Sequence, residues 1–158
     1  MRAAPLALIL AATAATADEP AYLDDRTSPE TIVRSLYSAV GRGEYARAWS
    51  YFGDEKPVAD YATFAEGYAG TGIAGIAIGA VTTEGAAGSI YGTVPVAISV
   101  TGPGPGPDGA RVFAGCYTTR QIQPAIQEPP FRPLEIASGK LHAAEAPLDA
   151  ALPTDCGS

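Results

Sequence analysis

Histidine, cysteine and basic residues are scarce in this chain. One His, two Cys and ten Lys plus Arg stand against seventeen Asp plus Glu, a formal charge of −7 in 158 residues. Each shortage excludes something. His142, Cys116 and Cys156 together cannot fill a four-ligand metal site. The acidic balance argues against nucleic acid, whose phosphates demand a basic footprint, and against anionic lipid surfaces. It suits a freely soluble protein. No apolar run reaches the roughly 20 residues that a membrane-spanning helix needs. No repeat is visible. The glycines of 102–109 alternate with proline, lack a lysine and open no helix, so they read as a loop tip and not as a phosphate cradle.

What is present begins with an address. Arg2, an apolar run through Ala15 and the small-x-small triplet Ala15-Thr16-Ala17 form an export signal over 1–17, cut before Asp18. No cysteine follows the cut, which excludes lipid anchoring there. Cys116 and Cys156 then meet an oxidising compartment, periplasmic or extracellular. An even count there favours a disulfide closing a loop of about 40 residues. Two free thiols are the competing reading. Residues 18–27 form an extended, acidic lead-in, and 144–158 a polar tail that the bridge would tie down.

Between them lies one domain, 28–143. Ser28-Pro29-Glu30 is a helix start, with Ile32, Val33, Leu36, Tyr37 and Val40 on one face and a stop at Gly41. A second short helix carries Tyr45, Ala48, Trp49 and Phe52. A third, capped by Asp60, carries Tyr61, Phe64, Ala65 and Tyr68. Four strand patterns follow at 72–83, 89–100, 110–122 and 131–141, joined by Gly- and Pro-bearing turns. Helices first and an antiparallel meander afterwards predict an α+β fold with the helices on one face of the sheet. Pro95 suggests a bulge or an edge in the second strand.

Three stretches carry a family likeness: Gly43-Glu44-Tyr45-Ala46-Arg47-Ala48-Trp49, Phe64-Ala65-Glu66-Gly67-Tyr68 and Phe113-Ala114-Gly115-Cys116-Tyr117. With three helices before a bent sheet, the chain resembles the nuclear-transport-factor-2-like superfamily, the fold of ketosteroid isomerases and polyketide cyclases. The resemblance covers roughly 28–143. It implies a strongly curved, mostly antiparallel sheet of four or more strands forming a cone around the helices, and a pocket inside the cone. Candidate pocket residues are Tyr37, Trp49, Phe64, Tyr68 and Tyr117, with Arg120 as a polar anchor. The competing reading is that these rings simply fill the cone.

Catalysis needs a base and a group to stabilise developing charge. Glu135, between Leu134 and Ile136, is the first candidate acid or base, and it pairs with Arg120 across the last two strands as either a surface ion pair or a pocket dyad. Asp60 is a second carboxylate to test. His142 has no orienting acid, and no catalytic residue, metal or cofactor is assigned. Three functional readings follow. The first is an exported module binding a small apolar ligand or an envelope protein. The second is a small isomerase, dehydratase or cyclase. The third is a dimerising structural module.

Overall fold

In the computed structural model, residues 20–105 and 109–157 are described; the expected export signal lies outside them. Helix α1, Pro29–Gly41, starts where its caps dictate. Ser28 and Thr31 form a reciprocal capping box, Pro29 opens the first turn, and Glu30 lies at the positive end of the helix dipole. Its apolar stripe, Ile32, Val33, Leu36, Tyr37 and Val40, is wholly buried. Burying each such side chain contributes about 1.5–3 kcal/mol. Helix α2, Tyr45–Ser50, is shorter than its sequence stripe, since Tyr51 already caps it. Asp60 caps α3, Tyr61–Tyr68, accepting from the Thr63 N–H at 2.8 Å.

The strands are β1, Gly72–Ile78; β2, Thr82–Ala86; β3, Ser89–Thr101; β4, Arg111–Ile122; and β5, Glu135–Ala144. All pair antiparallel in an unclosed sheet, with β1 and β2 lying end to end along one edge of β3. Pro95 explains their separation. Its carbonyl accepts from Gly79 N–H at 2.9 Å, so its missing N–H falls on that same edge, where the ladder lapses between Ile78↔Val96 and Thr82↔Thr93. The proline thus sits inside a central strand and breaks its neighbour. The last strand begins at Glu135 and not at 131, because Pro130 and Pro133 cannot donate to a ladder.

Side chains alternate across the sheet. Val94, Val96, Ile98 and Val100 of β3 share a face with Arg111, Phe113, Tyr117 and Thr119 of β4, and this face packs on α1 with Ile136 and Leu134. Pro95, Ala97 and Cys116 belong to the other face. That face is covered by a fourth helix, α4, Leu148–Ala151, whose Leu148 fits over Gly75 while Leu152 fits beside Gly79. A Cys116–Cys156 disulfide fastens this tail, with Cα atoms 5.8 Å apart. The tail is therefore a second layer, where the sequence predicts helices on one face only.

The lead-in is extended and pinned by polar contacts. Leu23 and Asp25 N–H groups donate to Ser38 and Ser35 hydroxyls, and Arg47 donates to Leu23 O at 2.6 Å. No helix among the described residues is long and apolar enough to cross a membrane.

Candidate functional site

Between the helices and the inner face of the sheet lies a cavity of about 300 Å³. Tyr37 of α1, Tyr68 of α3, and Phe113 and Tyr117 of β4 supply its aromatic wall, while Ile98, Val100 and Leu141 supply aliphatic surface. Period-two alternation delivers Arg111, Phe113 and Tyr117 to the same side of β4. Gly139 of β5, opposite Tyr117, lets the phenol ring lie flat over the strand. A Cβ at 139 would sit 2.1 Å from Tyr117 Cε1.

At one end of the cavity the Tyr37 and Tyr117 hydroxyls share a hydrogen bond of 2.7 Å, their rings edge to face at 6.2 Å. Both residues are almost wholly buried, 2% and 4% exposed. Burial pushes the Tyr37, Tyr68 and Tyr117 phenols up from their ordinary range, and the nearness of Tyr117 adds to the rise at Tyr37. They are neutral at physiological pH. One hydrogen bond between two hydroxyls uses one O–H and leaves the accepting residue's own proton over. Neither hydroxyl has a further partner among the described residues. The cavity end therefore presents one phenol O–H that is free to donate to a bound acceptor.

At the other end stands Arg111. Its Nη2 donates to Pro103 O at 2.7 Å and its Nε to Gly109 O at 3.4 Å, and the guanidinium lies 5.7 Å from the Phe113 ring centre. Arg111 is the sole ionised group lining the cavity among the described residues, and no carboxylate or histidine lines it.

Trp49 and Phe64 do not line the cavity. They build a ring cluster behind it, with Phe64 5.2 Å from Trp49, 5.8 Å from Phe52 and 5.0 Å from Tyr68. Their contribution is to brace the Tyr68 wall. Arg120 is also elsewhere, because an even number on β4 points away from Tyr117. It pairs with Glu135 at 3.6 Å and donates to Ser89 Oγ at 3.2 Å. That pair lies in a separate polar cleft with Gly53, Asp54 and Tyr91. Both partners are part-exposed, so the pair contributes under about 1 kcal/mol. Asp60 serves as a helix cap, its carboxyl held below the usual range by the Thr63 N–H and hydroxyl. His142 is exposed on β5, opposite Ala114. Among the described residues no three His, Cys, Asp or Glu side chains are placed to hold a metal.

Arg111 is the residue that reading the sequence for aromatics passes over. The signal was its spacing: two residues before Phe113 and six before Tyr117, hence the same face. No family model, no curated protein and no solved structure matches this chain.

Proposed function

We propose that the chain is an exported binding module of the nuclear-transport-factor-2-like type, holding a small, mainly apolar molecule with a hydrogen-bond acceptor at its buried end. The observation that carries this reading is the leftover O–H of the Tyr37–Tyr117 pair inside an apolar cavity. A ligand carbonyl or hydroxyl oxygen that accepts from it gains about 0.5–1.5 kcal/mol net. The order of three helices before an antiparallel sheet supports the family reading. The signal-like 1–17 segment and the disulfide support export.

The catalytic alternative needs a base within reach of the ligand. Asp60 is occupied as a cap, and Glu135 lies against Gly53 in the polar cleft. Binding is therefore the reading that the lining residues favour.

The cavity takes about ten heavy atoms, at about 30 Å³ for each water-sized one. A thermal-shift series with 2-octanone and octane tests the proposal. The ketone should raise the melting temperature more than the hydrocarbon, and a Tyr37→Phe/Tyr117→Phe double variant should erase the difference. No rise with any compound, or equal rises in the parent protein, would remove the reading.

A further inference from the structure

Every arginine among the described residues except one has a carboxylate within ion-pair distance. Arg26 meets Asp24, Arg34 meets Glu30, Arg42 and Arg47 share Glu44, Arg120 meets Glu135 and Arg132 meets Asp54. The exception is Arg111, which is held by carbonyl oxygens alone. It stands in a chain where acids outnumber bases seventeen to ten. Carbonyls orient a guanidinium without neutralising it. The one arginine with no carboxylate within ion-pair distance among the described residues is also the one that lines the apolar cavity; the nearest groove that holds an acid, Glu145, opens on its other side.

From this we infer that the ligand is an anionic amphiphile, a small apolar body with a carboxylate or comparable acid group seated on Arg111. The inference rests on the binding reading above and deepens it by assigning charge to the second end of the ligand. Four features of the site agree. The guanidinium fork suits a two-oxygen anion. Its apolar neighbours, Val100 across the ladder and the Phe113 ring, strengthen the attraction. Two backbone acceptors fix the fork in advance, so little ordering remains to be done on binding. No acid among the described lining residues would repel an anion there, although the protein as a whole is acidic.

The two ends are well separated. Arg111 and Tyr117 are six residues apart on one strand, a span of roughly 20 Å between Cα atoms at about 3.3 Å per residue. A molecule with an oxygen at the phenol end and an anion at the guanidinium end, joined by an apolar middle, matches the order of groups along the cavity.

Competition against an uncharged apolar fluorescent dye, using octanoate and octanol, tests this at neutral pH. Octanoate should displace the dye at a concentration about ten-fold or more below octanol, the advantage of a charge-assisted bond. The advantage should shrink with added salt. In Arg111→Gln the ratio of the two concentrations should fall to about one, whatever the absolute affinities, and in Arg111→Lys most of it should return. Equal competition by acid and alcohol in the parent protein would overturn the inference and leave the apolar binding site standing. A ratio that survives Arg111→Gln would overturn the role of Arg111. Failure of dye and both competitors to bind would sink the binding reading and this inference with it.

Discussion

Adding one methyl group at Gly139 should dismantle the phenol end of the cavity. The new Cβ would lie 2.1 Å from Tyr117 Cε1 and 2.3 Å from Cδ1. An ordinary carbon contact is about 3.5 Å, so the ring must retreat by about 1.4 Å. Tyr117 is 4% exposed, and the only space it can retreat into among the described residues is the cavity it lines. Overpacking of this kind costs about 1–3 kcal/mol. The retreat also breaks the 2.7 Å bond to Tyr37, leaving a buried hydroxyl stranded for about 1–3 kcal/mol more. Gly139→Ala should therefore destabilise by about 2–6 kcal/mol, a large share of a typical domain's 5–15. Urea denaturation at constant slope reads this as a lower midpoint. Tyr117→Phe is the control that removes only the hydroxyl; it strands Tyr37 in the same way without the overpacking, and should cost about 1–3 kcal/mol. If Gly139→Ala proved neutral, or milder than Tyr117→Phe, the placement of Tyr117 over β5 would be refuted.

Three further expectations concern the rest of the molecule. Replacing Cys116 and Cys156 by alanine frees a closed loop of 40 residues and should cost up to about 4 kcal/mol; limited proteolysis should then cut first in the tail, whose four-residue α4 buries no residue fully and has no side-chain cap. An unchanged urea midpoint together with an uncut tail would argue against that role. Gly67→Ala lies in α3 with nothing within 4 Å of the new methyl, and should stabilise by about 0.5–1 kcal/mol, read as a higher melting temperature. Alkali should unfold the protein. Tyr37, Tyr68 and Tyr117 titrate higher folded than unfolded, so their contribution is complete below the ordinary tyrosine pKa of about 10 and is lost as pH rises beyond it. Asp25, Glu44 and Asp60 are depressed, so their contribution is present above the ordinary carboxylate range and fades as pH falls through it. A stability profile flat from neutral pH to pH 11 would contradict the buried phenols.

Local chemistry made the helices legible. Ser28-Pro29 and Asp60 set the starts of α1 and α3 through caps that need no tertiary partner, and both helices begin one residue later. Long alternating strands were legible for the same reason. The start of β5 was harder, because apolar Phe131 and Leu134 read as strand while Pro130 and Pro133 withhold donors. The break between β1 and β2 depends on which edge Pro95 presents, and only the pairing decides that. At the site, Tyr37, Tyr68 and Tyr117 share the cavity, whereas Trp49 and Phe64 brace it from behind. A helical stripe cannot separate those two roles, since both are buried faces. Arg120 illustrates the strand rule: three positions after Tyr117 is the opposite face, and its partner Glu135 goes with it. The tail gave no sign of a second layer, because its docking depends on glycines at 75 and 79 that are distant in sequence.

A ligand that enters the space between α1, α3 and the sheet should be visible in one titration. Adding 2-octanone to isotopically labelled protein should shift amide resonances around Tyr37, Val100, Phe113, Tyr117 and Leu141, leaving those of Tyr91, Arg120 and Glu135 in place. Shifts confined to the Arg120–Glu135 cleft, or none at saturating ketone, would contradict that entry.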